Sequence, residues 1–416
     1  MKCVVIGGGI IGLSSAYYLR KSGHEVTVID QSDMSNGCSY GNAGYVCPSH
    51  FIPMPTPGII SQGFKWMLNS RSPFYVQPRL SLSLIDWGLK FMKSATSEKV
   101  EKAAVPLRDI AVFSQQLYEQ EFCKDERLSF SYAHKGLLDI FQTEKNAEHA
   151  IHTVAKSKEL GLDVDLLSYA EMQALEPGTK INALGAIFFK CDGHLSPPQL
   201  MKSLKACLKA DGVEFITGAR VDRFEISGGM ISGLFAGEKK YTADQVILAA
   251  GSWSRELASK LDLKIPMVAG RGYSVTYEDS PFQLNYPAIL VEGRTAITPL
   301  ENGRMRFGGT MEITSTDEPV KIKRVEGILA AVKSFYPSFN LPMPEKEKIW
   351  SGFRPCSADG LPYIGKLKSI KNCVIATGHS MLGLSLGAGT GKLVSELVND
   401  QPSSISLNAF SPERFN

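Results

Sequence analysis

The chain has 416 residues, more than one hydrophobic core usually organises, so two closely connected domains are expected. Its 44% hydrophobic and 21% charged residues suit a globular protein in water, and a net charge of +3 with scattered basic residues argues against a nucleic-acid or strongly acidic partner. Eight cysteines lack a C-x-x-C pair or metal-ligand spacing, no apolar run reaches the roughly eighteen residues of a membrane span, and a predicted strand starts at Lys2, so a cytoplasmic protein with free thiols, no metal and no signal peptide is expected.

A βαβ unit is predicted first. Lys2 to Ile6 is short and β-branched, Ile10 to Ser22 has helical spacing stopped by Gly23, and Glu25 to Ile29 is a second apolar run. Strand and helix are joined by Gly7-x-Gly9-x-x-Gly12, with Ile10 and Ile11 opening the helix. In such a turn Gly7 permits the tight bend, Gly9 lets backbone N–H groups approach a pyrophosphate, and Gly12 lets the helix pack closely on the strand with its N-terminus toward the anion. Asp30, followed by Gln31, falls where an acid accepts ribose hydroxyls; it disfavours a 2′-phosphate and hence NADP, leaving NAD and FAD.

Ser35 to Tyr45 is glycine-rich and polar, and Pro48 to Pro106 is rich in proline and aromatics. Helices are predicted at Pro106–Lys124, Glu144–Leu160, Ala170–Glu176 and Pro197–Asp211, with a strand at Gly136–Phe141. Three strands follow, Val213–Thr217, Arg220–Ile226 (carrying Val221) and Met230–Phe235; then a buried strand, Val246–Ala250, ends in Gly251-Ser252-Trp253. Small residues at Ala250 and Gly251 let the chain pass beneath a bound nucleotide. Alternation from Tyr273 to Phe307 predicts an antiparallel sheet, followed by a helix at Lys323–Phe335. The tail supplies a strand, Cys373–Ala376, and a helix from about Leu384 to Asn399. That helix N-terminus, carrying roughly half a positive charge and free N–H donors, suits the pyrimidine edge of an isoalloxazine and selects FAD over NAD.

Gly7-Gly8-Gly9-Ile10-Ile11-Gly12, Ser39-Tyr40-Gly41-Asn42-Ala43-Gly44, Asp192-Gly193-His194-Leu195-Ser196-Pro197, Ala249-Ala250-Gly251-Ser252-Trp253-Ser254, Arg306-Phe307-Gly308-Gly309-Thr310-Met311-Glu312, Trp350-Ser351-Gly352-Phe353-Arg354-Pro355, Asp359-Gly360-Leu361-Pro362-Tyr363-Ile364-Gly365 and the Gly378 to Gly391 tail stand in an order and spacing of high specificity. Over nearly the whole chain they resemble the FAD-dependent oxidoreductases related to D-amino-acid oxidase and glycine oxidase, and within these the bacterial D-amino-acid dehydrogenases, including those that oxidise D-hydroxyproline. The resemblance implies an α/β fold: a doubly wound FAD-binding domain (1–47, 190–268 and 350–416) interleaved with a substrate domain on a mixed, mainly antiparallel sheet (48–189 and 269–349). It implies oxidative deamination of a D-amino or D-imino acid, such as D-proline or cis-4-hydroxy-D-proline, by hydride transfer from Cα to flavin N5. Electrons then pass to a quinone or other carrier; the alternative is an oxygen-using oxidase of glycine, sarcosine or D-amino acids that forms hydrogen peroxide. A flavin-binding subunit of a larger electron-transfer assembly, or a tRNA-modifying flavoprotein, also stays open.

By the same resemblance Arg354 clamps the substrate carboxylate. The chemistry suits a guanidinium, which presents two parallel donors and stays ionised when desolvated; the alternative is a structural arginine paired with Asp359. His379 lies where the family's loop passes the flavin edge, as do Gly378, Met381, Leu382, Gly383 and Leu384, and its backbone competes with its imidazole for that role. Tyr273 is a candidate hydroxyl donor to the substrate or a packing residue. His50 and His194 read as structural or exposed. Ser39, Asn42, Ala43 and Gly44 line pyrophosphate and flavin ring in relatives, and Val221, Ala250, Gly251 and Trp253 complete the cofactor set. Although Cys356 and Cys373 lie where some relatives attach flavin, the surrounding pattern implies noncovalent FAD.

Between Pro48 and Met92 stand Phe51, Ile52, Met54, Ile59, Ile60, Phe64, Trp66, Met67, Leu68, Phe74 and Tyr75, with Lys65, Arg71 and Arg79 interspersed. One reading is a lid with a quinone- or membrane-facing surface; the other, given more weight, is a loop packed on its own protein. Peripheral membrane contact and a homo-oligomer both stay open.

Overall fold

The computed structural model describes residues 1–59 and 72–416. Its first sheet has six strands in the order Glu214–Ile216, Glu25–Ile29, Lys2–Ile6, Gln245–Leu248, Cys373–Thr377 and Tyr363–Lys366. The first five are parallel and the last is antiparallel to its neighbour. Strands such as CVVI and VTVI are apolar without alternation because both faces are covered. Cys3, Val5, Val26 and Val28 pack on the helices Ile10–Lys21, Pro197–Ala210 and Gly387–Val398. Val4, Ile6, Val246 and Leu248 pack on a three-stranded sheet (Val221–Ser227, Met230–Ala236, Lys239–Tyr241) and the short helix Ser254–Ser259.

The second large sheet is mixed and mainly antiparallel. Its order is Ile349–Ser357, Met267–Tyr277, Met305–Ile313, Thr295–Pro299, Ala288–Leu290, Leu137–Phe141, Gly185–Phe189 and Val164–Ser168, with Phe74–Val76 pairing alongside Met305–Ile313. The helix Ile322–Phe335 closes one face through Val325, Ile328, Val332 and Phe335. Ile349–Ser357, which sequence grouped from residue 350 with the nucleotide-binding segments, hydrogen-bonds into this sheet along nine residue pairs with Met267–Tyr277.

Two helix boundaries differ from expectation. The helix expected from Pro106 begins at Ser97, because the Thr96 hydroxyl accepts from the Lys99 N–H and caps it, and Pro106 is carried inside. The last helix starts at Gly387, three residues late, because Ser380–Leu382 first makes a 3₁₀ turn. There a Cβ on Gly387 would stand 2.7 Å from Ile10, and one on Gly391 would stand 2.5 Å from the Ser14 backbone, so small residues set how closely the tail helix approaches the first helix.

Within 48–92 the described residues divide. Phe51 is buried, Met54, Ile59, Phe74 and Tyr75 are partly buried, and Ile52 is exposed. On the helix Leu82–Ser94, Trp87 and Phe91 pack inward, whereas Leu82, Ile85, Leu89 and Met92 form an exposed stripe. Ile60, Phe64, Lys65, Trp66, Met67, Leu68 and Arg71 lie outside the described residues. Among the described residues no helix is long and apolar enough to cross a membrane.

Candidate functional site

A cavity of about 880 Å³ lies between the C-terminal ends of the parallel strands and one face of the large sheet. Its nucleotide end is the glycine turn. Gly7 has φ +111°, and a Cβ there would stand 2.4 Å from the Ala249 carbonyl; at Gly12 it would stand 1.8 Å from the Gly7 carbonyl. A Cβ on Gly9 would meet only Ser39 Oγ at 3.6 Å, so this residue leaves the helix N-terminus open. Gly7 and Gly12 thus leave no room for a side chain.

Gly7, Gly9, Ile10, Ile11, Asp30 and Gln31 line this end, with Val221 beside them. The Asp30 carboxylate accepts from the Gly8 N–H at 2.7 Å and from the Ser32 N–H and hydroxyl, so the chain fixes its orientation. Ser39 Oγ accepts the Ile10 N–H at 3.0 Å.

Ser39, Asn42 and Ala43 form a second wall of the cavity. Its carbonyls are held from the large sheet: Arg306 Nη1 donates to Tyr40 O and Asn42 O, Thr298 Oγ1 to Ala43 O, and Ser274 Oγ to Gly41 O. Asn42 also donates to Met381 O at 3.4 Å and accepts from Gly44 N at 2.8 Å, joining this loop to the one at His379–Leu384. Gly44 and Gly378 do not line the cavity. Both have positive φ, and a Cβ would strike the Leu195 carbonyl or the Tyr363 ring.

Ala250, Gly251 and Trp253 pass along the floor with Met381, Leu382, Gly383 and Leu384 opposite. Thr377 Oγ1 donates to Gly251 O and Ser252 Oγ to Phe353 O, which ties the floor to the Arg354 strand.

Arg354 points into the cavity. Nη1 donates to Thr310 O at 2.6 Å, and the guanidinium rests where Gly272 has no side chain. Burial lowers its pKa from the ordinary arginine value. Asp359, its alternative partner, instead forms a two-point pair with Arg414 at 2.7 and 2.9 Å, so among the described residues no carboxylate neutralises Arg354.

His379 is buried, with Nε2 3.0 Å from Thr390 Oγ1, and burial pushes its pKa down to about 3; it is a neutral imidazole. Tyr273 reaches the cavity wall, but its hydroxyl donates to Glu312 at 2.8 Å, which also pairs with Lys321, and that leaves no proton for a substrate. His50, read as structural or exposed, lines the cavity with Nδ1 3.1 Å from Ser49 Oγ, and burial lowers it to about 4.

Asp139 was not singled out by sequence. It lines the cavity on the Leu137–Phe141 strand, and its Oδ1 is shielded from solvent without a hydrogen-bond partner. Burial, and then the nearby carboxyl of Asp192, push its pKa up to about 7.

Residues 2–397 match the family described as FAD dependent oxidoreductase. The chain belongs to that family. It is 32% identical over 400 residues to a D-amino acid dehydrogenase of Helicobacter pylori, covering 95% of this chain and 94% of that protein, and 30% identical over the full length of both to one of Vibrio atlanticus (strain LGP32). In fold it is similar to glycine oxidase from Geobacillus kaustophilus (TM-score 0.81, 22% identity, 100% and 98% covered). As a member of this family it takes FAD as cofactor and is an oxidoreductase.

The residues present fit that cofactor. Two buried polar atoms in the cavity wall, His379 Nδ1 and Trp350 Nε1, lack partners, and the turn at Gly9 leaves room for a phosphate where a Cβ would stand.

Proposed function

We propose that the chain oxidises a D-amino or D-imino acid, D-proline and cis-4-hydroxy-D-proline among the candidates, and that the electrons leave to a quinone or another carrier. The observation that carries this reading is Arg354, a guanidinium in the cavity with no carboxylate partner among the described residues. Such a group takes a substrate carboxylate through two charge-assisted bonds, each contributing about 1.5–3 kcal/mol. Noncovalent FAD, when bound, supplies the two-electron acceptor for the substrate's Cα hydride.

The chain's own part is binding, orientation and exclusion of water. Thr310 O and the bare Cα of Gly272 fix the plane of the Arg354 fork. Arg306, Thr298 and Ser274 hold the Gly41–Ala43 carbonyls rigid, which keeps the 39–44 wall in place when a ligand is bound. His379, with its pKa lowered to about 3, is too weak a base to take a proton from a substrate ammonium, so the reacting form is an amine that binds already neutral. Met54, Ile59, Pro73, Phe74 and Phe91 cap the cavity with apolar surface. The D configuration and the dehydrogenase outcome are favoured by the full-length similarity to proteins named D-amino acid dehydrogenase. The exposed Leu82, Ile85, Leu89 and Met92 stripe, one helix face away from the cap, favours an apolar acceptor or a peripheral membrane surface.

Anaerobic bleaching of the bound flavin against matched D- and L-amino acids, in wild type and Arg354→Lys, tests the clamp. Wild type should bleach with D substrates, and Arg354→Lys should stay yellow but lose most reduction. Equal bleaching by both proteins removes the assignment. In an oxygen electrode, peroxide formed at the rate of turnover with D-alanine or D-proline would replace the dehydrogenase by an oxidase.

A further inference from the structure

Asp139 and Arg354 share one face of the large sheet. Register pairs run Asp139 with Ile289, Ile289 with Ala296, Ala296 with Gly308, Gly308 with Ser274 and Ser274 with Trp350, and Arg354 follows Trp350 at the four-residue spacing of one strand face. Arg354 rests on Gly272 and reaches Thr310 O with Nη1, so its guanidinium lies over the Met267–Tyr277 strand at the edge facing Met305–Ile313. From there to Leu137–Phe141 is three to four strand spacings across the sheet, about 14–19 Å at roughly 4.8 Å each. Ile289, Ala296 and Gly308 stand between the two charged residues on this face, and all three line the cavity.

The Asp139 end is acidic. The charged group acting on Asp139 is Asp192, itself buried, which accepts from the Ser49 N–H at 3.1 Å and the Ser49 hydroxyl at 2.5 Å. His50 and Cys47 line the cavity here too, and burial keeps both uncharged. Thus Asp192 is satisfied by its own chain, whereas Asp139, a cavity-lining residue, keeps one buried carboxyl oxygen without a partner. Leaving a buried acceptor without a partner is costly unless a ligand satisfies it.

We propose that Asp139 is the distal end of the substrate site and binds the cationic tip, ammonium or guanidinium, of a basic amino acid whose carboxylate is held by Arg354. This rests on the carboxylate-clamp reading and narrows it.

The test uses FAD-loaded protein and two non-oxidisable probes, 6-aminohexanoate and hexanoate, which share a carboxylate and differ in the terminal ammonium. By calorimetry, wild type should bind 6-aminohexanoate at least tenfold more tightly, and Asp139→Asn should reduce that ratio below twofold. In parallel, anaerobic flavin reduction should favour D-lysine over D-norleucine by tenfold or more in wild type and not in the variant. If 6-aminohexanoate binds no more tightly than hexanoate to wild type, or if Asp139→Asn keeps the preference, the proposal is overturned. If D-alanine, D-proline, D-norleucine and D-lysine all leave the flavin oxidised, the clamp reading fails instead; reduction by D-alanine or D-proline without a D-lysine preference leaves the clamp standing and removes only the Asp139 subsite.

Discussion

Arg354 lies flat against Gly272: a Cβ on that glycine would come within 2.1–2.3 Å of the guanidinium Nη1, Cζ and Nη2 atoms. The two stand on adjacent strands, Gly272 opposite Gly352, so the bare backbone of one strand is the shelf on which the other's side chain rests. Gly272→Ala should therefore displace the fork without touching the nucleotide end. We expect FAD binding to persist and kcat/KM for the preferred D-amino acid to fall about 10- to 100-fold, the equivalent of losing one charge-assisted bond. Stopped-flow flavin reduction checks this, and a rate within twofold of wild type would show that the shelf does not position Arg354.

That dependence explains what was legible in the sequence. Gly7, Gly9 and Gly12 act within one turn, so spacing alone located them, whereas Arg354 was singled out through the family resemblance of its local motif. Tyr273 was placed on the right strand, but the partner that takes its proton, Glu312, comes from a neighbouring strand 39 residues later. Asp139 depends on still longer links: it enters the cavity only because its strand pairs with Ala288–Leu290, about 150 residues away, and neither periodicity nor a motif encodes that pairing. Likewise Arg414 captures Asp359 from the C-terminal tail. Arg306, Thr298 and Ser274 were missed because they act on backbone carbonyls, which leave no trace in residue type.

His379 should behave as a permanently neutral ring. Its surroundings favour the uncharged form down to about pH 3, far below an ordinary histidine. Its ring NMR signals should then not shift between pH 8 and 5, and the pH profiles of flavin reduction in wild type and His379→Asn should have the same shape. An inflection in that range that vanishes in the variant would restore an acid–base role.

Packing of the tail helix on the first helix gives a stability prediction. A methyl at Gly391 would meet the Ser14 backbone at 2.5 Å, where neither neighbour is a flexible side chain. Because the helix follows directly on the His379–Leu386 loop, Gly391→Ala should both destabilise the fold, by about 1–3 kcal/mol, and weaken FAD retention. Urea unfolding and flavin loss on gel filtration report the two effects; an unchanged midpoint would mean the helices separate freely.

Asp139 should carry a stability cost whose pH dependence identifies it. Its carboxyl titrates near 7 in the folded chain, against about 3.9 when unfolded. Above pH 7 it is ionised in both states, and the folded state bears the burial of that charge. Below about pH 4 it is protonated in both states and the cost is absent. Asp139→Asn should therefore raise stability at pH 8 by about 2 kcal/mol, a figure discounted for the open cavity face, and the gain should shrink as pH falls from 7 toward 4. Asp192 is the contrast. Its pKa is also pushed up to about 7 by burial, but its oxygens accept both Ser49 donors, so Asp192→Asn exchanges one of those acceptors for a second donor and should destabilise at pH 8. Urea midpoints for both variants at pH 8 and pH 5 decide the matter. Equal shifts at the two pH values for Asp139→Asn would mean that the carboxyl is not held ionised at a cost, and a gain for Asp192→Asn would mean that the Ser49 bonds do not repay its burial.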